Sequence, residues 1–176
     1  TIHPQTNRNS TKKLIKNSLY ALKKLKDTLV IFTSVNPDLN SDLIAKNISK
    51  FKNYDNFKFY KNLGQNLYLS LIKQVDCIVG NSSSGFIEAP FLKIPVVNIG
   101  NRQDGRPLVS NIVQTNLEKK NILRAIKKIY NPDFRRKLKH TRTFYYKKNT
   151  TENIIKILRN INLINIKIKK FKYEKP

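Results

Sequence analysis

At 176 residues with 39% apolar side chains, the chain is long enough for one domain with a real core and too apolar for disorder. It has no apolar run long enough to span a bilayer as a helix and no signal-peptide pattern, and its single cysteine, Cys77, excludes an internal disulfide; these features predict a reducing compartment, by default the cytoplasm, and no membrane partner. The net charge of +24 suggests nucleic acid, but the lysines behind it are spread among Asn and Ile and cluster only in 167–173, without an RNA-recognition aromatic motif or zinc-ligand spacing, so nucleic acid is not the expected partner.

In chain order, Thr1-Ile2-His3 reads as the end of a strand. The start lacks Met, so we expect a fragment or a processed piece. Pro4 to Asn7 is a turn, and Ser10 is placed to cap a helix through about Leu25, with Leu14, Leu19, Leu22 and Leu25 near helical spacing. The apolar run Thr28–Thr33 predicts a strand buried on both faces. A polar loop with Asn36-Pro37-Asp38 follows, then a Ser41-capped helix to Phe51, a short strand Phe57–Tyr60 and a helix Gln65–Gln74. Cys77–Gly80 is the next strand, with Cys77 packing as a small hydrophobe. A polar turn at 81–84, a helix Gly85–Leu92 and a buried strand Pro95–Gly100 come next. Ser110–Val113 reads as a last strand, followed by helices at Leu117–Tyr130 with Asn116 as its cap, Pro132–Lys139 and Thr151–Ile161. Strand–helix alternation of this kind predicts an α/β fold, a parallel sheet with helices on both faces, whose ligands bind beyond the carboxyl ends of the strands. His3, Asn36, Leu63, Ser82–Ser84 and 100–106 all follow predicted strands and should share one rim.

The densest chemistry lies in 80–106. A strand, a Ser/Gly turn and a helix aim backbone N–H groups and the positive end of the helix dipole at one point, a geometry suited to an anion. Ser82-Ser83-Ser84-Gly85 lacks the Lys of a Walker loop and the spacing of a dinucleotide-binding glycine motif. Glu88, expected in the first helical turn, stands in the apolar stretch 86–92, where a lone carboxylate is costly without a partner such as a pair of ribose hydroxyls. Arg102-Gln103-x-Gly105-Arg106 offers two guanidinium groups on a loop directly after a buried strand, which suits phosphate. His3 would meet the same rim, whereas His140 sits among Lys and Arg and reads as surface. No metal-ligand cluster and no Ser–His–Asp arrangement is apparent, and no cofactor is called for.

Gly80-Asn-Ser-Ser-Ser-Gly-x-x-Glu88, with Pro95-Val-Val-Asn-Ile-Gly-x-Arg-Gln-x-Gly-Arg106 at this spacing, resembles the UDP-N-acetylglucosamine 2-epimerase family, and most of all its hydrolysing branch. His3-Pro4 is similar to the His-Pro that opens that family's C-terminal domain, and the resemblance covers roughly residues 1–160. It implies a Rossmann-like C-terminal lobe of a GT-B-type two-lobe fold, covering residues 1–163 with a basic tail at 164–176, and an N-terminal lobe that is absent here. It further implies a UDP-sugar substrate and a homo-oligomeric full-length protein. Ser82 and Ser83 would bind the diphosphate, Glu88 the ribose, Arg102 the nucleotide-phosphate region and His3 the phosphates. Asn36 would match a nucleotide-site Asn, and Leu63 would meet uracil through its backbone. The implied reaction is proton removal at C2 and anti elimination of UDP, then addition of water to release the free 2-epimer. The lobe in hand would serve the leaving group, and alone would bind UDP weakly and not epimerise. Two alternatives stay open, a glycosyltransferase lobe of the same architecture and a basic nucleic-acid-binding module.

Overall fold

The computed structural model describes residues 1–33 and 38–162. Its elements, in chain order, are α1 (Arg8–Leu22), β1 (Val30–Thr33), α2 (Ser41–Ser49), β2 (Phe57–Tyr60), α3 (Gly64–Gln74), β3 (Ile78–Gly80), α4 (Ser84–Leu92), β4 (Val96–Ile99), β5 (Ile112–Thr115), α5 (Lys119–Ile129), α6 (Pro132–Leu138) and α7 (Thr150–Asn160). Contacts divide the chain into two compact units, Thr1–Phe144 and Tyr145–Pro176. The expected basic tail lies outside the described residues.

All strand pairs are parallel. β1 pairs with β2, with Val30 opposite Phe57, and β4 lies between β3 and β5, with Val97 opposite Val79 and Val113. Parallel strands need crossover helices, and these cover both faces. One core cluster joins Leu14, Leu19 and Leu22 of α1, Ile44 of α2 and Ile122, Ile126 and Ile129 of α5 to Phe32, Val97, Ile99 and Val113 of the strands. Ile72 of α3, Phe86 and Ala89 of α4 and Val96 of β4 are buried outside that cluster, on the opposite face. There α4 approaches so closely that a Cβ on Gly85 would stand 2.8 Å from Val96 Cγ1.

Thr1–His3 is not a regular strand, but it forms a ladder with β3. The Thr1 amine reaches Val79 O at 3.5 Å, and Asn81 N–H donates to Thr1 O at 3.4 Å. That is the bond pattern of a parallel pair with Thr1 opposite Gly80. Gly80 is required there, because a Cβ at its φ of +149° would lie 1.9 Å from Thr1 O.

Several expected boundaries shift for local reasons. Asn7, not Ser10, caps α1; its side chain accepts from Ser10 N at 3.1 Å, placing Ser10 inside the first turn. That helix ends at Leu22, and Lys24 and Leu25 continue as tighter turns bonded to Ala21 O and Leu22 O. Ser41 is the first helical residue of α2, after a left-handed Asn40. β5 begins at Ile112 because Asn111 is engaged across the strands, its side chain donating to Ile94 O at 2.9 Å and its carbonyl accepting from Val96 N at 2.8 Å. Asn116 precedes the cap Glu118 of α5, and its Oδ1 accepts from Glu118 N and Asn121 Nδ2, both at 3.0 Å. Cys77 falls just outside β3, half-buried and packed against the core. Burial, aided by Asp76, pushes its thiol up to about 12, so it behaves as the small hydrophobe expected.

In the second unit, α7 is amphipathic but buries none of its residues. No described helix is long and apolar enough to cross a membrane.

Candidate functional site

Asn81, the first residue after β3, is fully buried and organises the rim. Its Oδ1 accepts from His3 N at 2.7 Å and its Nδ2 donates to His3 O at 2.9 Å, so one amide satisfies both backbone groups of a buried residue. Its own carbonyl accepts from Gln103 Nε2 at 2.8 Å and Arg102 Nη1 at 3.3 Å. Three segments remote in sequence are thereby tied at the carboxyl ends of β3 and β4. The 100–106 loop folds back through two turns, Asp104 N to Asn101 O and Arg106 N to Gln103 O, with Gly100 and Gly105 at φ of 80° and 84°. Gln103 is buried, and the Arg102 side chain lies over Asn81 O from an otherwise exposed position.

His3 is buried, and its Nδ1 has no hydrogen-bond partner. Burial, then the positive charges of Arg102 and the chain amine, lower its pKa to about 4, with Asp38 acting weakly the other way. At neutral pH the ring is uncharged and can give or accept one hydrogen bond at the rim.

The serine turn differs from the expectation of free N–H groups. Ser84 N donates to Ser82 Oγ at 3.3 Å, Gly85 N to Ser82 O at 3.2 Å and Phe86 N to Ser83 O at 2.9 Å. The turn satisfies these three donors internally. The first two bonds are long, and an anion could exchange with them. Ser82 and Ser83 are half-buried, beside Asn81. Glu88 also differs: with α4 starting at Ser84 it begins the second turn, not the first. It gains less from the helix dipole there, and its Oε2 is buried without a partner. An orphaned carboxylate oxygen among apolar neighbours is a place for an outside donor.

Leu63 forms the N-terminal cap position of α3, half-buried, beyond the end of β2. The recorded side-chain link from α3 to the serine turn is Tyr68, whose hydroxyl donates to Ser84 Oγ at 2.9 Å. Burial raises the Tyr68 pKa, with nearby Glu88 pushing the same way, so its proton stays in place. Asn36 lies outside the described residues. His140 is exposed, as expected. No group of three or more potential metal ligands occurs among the described residues.

Sequence reasoning missed Asn81 and Tyr68. In Asn81-Ser-Ser-Ser84 every residue reads as turn-forming, and nothing local separates a buried clasp from a solvated turn. Tyr68 was hidden in the helical leucine pattern of α3.

The family model for UDP-N-acetylglucosamine 2-epimerase matches residues 1–159. A Campylobacter jejuni protein named GDP/UDP-N,N'-diacetylbacillosamine 2-epimerase (hydrolyzing) is 39% identical over 175 residues, which is 97% of this chain and 45% of that protein. The Escherichia coli polysialic acid biosynthesis protein P7 is 32% identical over 160 residues, 90% of this chain and 41% of that protein. The chain thus spans less than half the length of these curated relatives. A crystal structure of the Methanocaldococcus jannaschii UDP-GlcNAc 2-epimerase in complex with UDP-GlcNAc and UDP superposes with a TM-score of 0.70 at 19% identity, over 90% of this chain and 44% of that one. At that identity the likeness speaks for the fold alone.

Proposed function

Because the chain belongs to the UDP-N-acetylglucosamine 2-epimerase family, we propose that it is the UDP-binding half of a hydrolysing 2-epimerase. In this reading residues 1–163 form the C-terminal lobe of a two-lobe enzyme, and 164–176 a basic tail. The N-terminal lobe supplies the acid/base carboxylates. After C2 loses its proton, the C1–O bond breaks, UDP leaves with the bonding pair, and a glycal remains. Water then adds across the double bond, its hydroxyl to C1 and a proton to C2, and the free 2-epimer is released. N-acetylmannosamine or a diacetamido relative is the product, for sialic-acid-type sugars. The whole protein works in the cytoplasm as a homo-oligomer.

The observation that carries this reading is the rim itself. A neutral His3, the serine turn and Arg102 are drawn together by Asn81, while the orphaned Glu88 oxygen lies on the adjoining helix. Ser82, Ser83, Arg102 and His3 would hold the diphosphate as charge develops on the leaving oxygen, and fixed donors stabilise that charge without reorganising. Glu88 would accept from the ribose hydroxyls, Asn36 would contact the nucleotide, and the Leu63 backbone would contact uracil.

Calorimetric titration of the chain with UDP and with UMP is the test. UDP should bind in the high-micromolar range or weaker and at least tenfold better than UMP, and Glu88→Leu should lower UDP affinity roughly tenfold, as expected for one lost charged hydrogen-bonded contact. Equal affinity for UMP and UDP, or unchanged UDP binding by Glu88→Leu, would remove the diphosphate or ribose assignment respectively. Turnover of UDP-N-acetylglucosamine by the chain alone would refute the division of labour between lobes.

A further inference from the structure

Along the sequence the lysines look dispersed, but the fold sorts them by face. α1 and α5 lie side by side over one face of the strands, sharing the core cluster and joined by Asn17 Nδ2, which donates to Leu117 O at 2.8 Å. α1 carries Arg8 and three lysines, and α5 carries Arg124 and four lysines. Neither helix contains Asp or Glu, and all nine cationic residues are exposed. α2, beside α1, is balanced by Asp42 and Lys46, and α3 and α4 on the opposite face carry only Lys73 and Glu88 between them. The net charge of +24 is therefore not a uniform coat. Arg8, Lys12 and Lys16 form one stripe at i, i+4 spacing, and Lys120, Arg124 and Lys128 form another. Like charges at that spacing destabilise a helix. Lys119 and Lys120 also stand in the first turn of α5, where the helix dipole disfavours cations. Two acids offset part of this, Asp42 at 3.4 Å from Arg8 and Glu118 at 2.5 Å from Lys13. Helix stability alone would not select this placement, whereas a negatively charged partner lying along the face would relieve it.

We propose that the α1–α5 face is a docking surface for a lipid bilayer that carries anionic headgroups. The contact is peripheral and electrostatic, because the apolar sides of both helices are spent on the core and no described helix is long and apolar enough to cross a membrane. The kind of cation favours a bilayer over nucleic acid. Seven of the nine are Lys, a hydrated point charge on a flexible stem that suits a diffuse field, whereas recognition of individual phosphates favours the Arg fork. RNA recognition also uses aromatic platforms on which bases stack. Tyr20 is the one aromatic residue of the two helices, and its ring packs edge-on against Phe51 at 5.5 Å. A bilayer needs no such platform; each cation within a Debye length of it, about 8 Å at physiological salt, adds to the attraction. The face is the outside of a helix layer and the rim lies at the carboxyl ends of the strands, so the proposal does not depend on which ligand the rim binds.

The test is sedimentation of the whole chain with vesicles of mixed phosphatidylglycerol and phosphatidylcholine, against vesicles of phosphatidylcholine alone. The chain should bind only the mixed vesicles, and binding should weaken as salt is raised. Lys12→Gln, Lys16→Gln and Lys120→Gln together should weaken it roughly tenfold or more. Lys58→Gln, Lys73→Gln and Lys93→Gln remove the same charge from exposed sites elsewhere and should change it less than about twofold. The Tm of the first set should stay level or rise, because like-charge pairs are relieved, which separates lost binding from lost folding. Equal losses from the two sets would overturn the proposal, since net charge alone would then explain the binding. So would failure to bind the anionic vesicles. Polyuridylate that strips the chain from the vesicles, and is itself held less tightly only by the first set, would also overturn it and assign the face to nucleic acid.

Discussion

The β3–β4–β5 sheet and the β1–β2 sheet are built from similar strand lengths, yet they hold their ends in different ways. In the first, β4 is buried at every position, and the rim beyond it is cross-linked by Asn81 to His3, Arg102 and Gln103. In the second, burial alternates along both strands, and cohesion comes from an aromatic group, with Phe51, Tyr54, Phe57 and Phe59 at ring separations of 5.5 to 6.2 Å. Aromatic packing tolerates small shifts, whereas a bidentate amide clasp on a buried backbone does not. The half with the clasp carries most of the candidate site residues, as expected where geometry must be set in advance.

That contrast can be broken most directly by Asn81→Ala. It would strand the buried N–H and C=O of His3, while the main-chain carbonyl that accepts from Gln103 and Arg102 remains, at a cost of about 2–5 kcal/mol in chemical unfolding. The matching change in the other half, Asn56→Ala, removes one part-buried bond to Thr28 O and should cost about 1 kcal/mol. Equal losses would show that the clasp has no special weight.

A smaller effect is expected from pH. The folded pKa of His3, about 4, lies below its ordinary 6.5, so between those values the unfolded chain binds a proton that the folded chain does not. Stability should therefore fall as pH drops from 6.5 toward 4, by on the order of 2 kcal/mol. Urea midpoints across pH should show this step. His3→Gln should flatten it. A step that persists in His3→Gln would assign it to another group.

The smallest effect is predicted for Lys13→Ala, which breaks the exposed pair of Lys13 with Glu118 at 2.5 Å. Thermal unfolding should register less than about 0.5 kcal/mol. A larger loss would mean that surface charge shares in holding α1 to α5.

Much of the architecture was legible because its signals are local. The run Phe57–Tyr60 gave a strand with the expected bounds, and α3, α4, β4 and α6 fell within a residue or so of their apolar and capping patterns. Caps were less legible. Asn7 and Ser10 are both good N-caps three residues apart, and only the folded turn shows which side chain faces which N–H. Glu88 could be singled out as a costly carboxylate, but its place in the second turn depended on where α4 began.

The sequence by itself determined the order of strands and helices and the parallel class of the strand pairing, because periodicity and the strand–turn–helix rule act over a few residues. The tertiary structure alone decided that Asn81 clasps His3 across 78 residues of chain and that Tyr68 reaches Ser84. These are contacts between segments whose separation along the chain carries no signal. They arise only when buried backbone groups must find partners wherever folding has brought them.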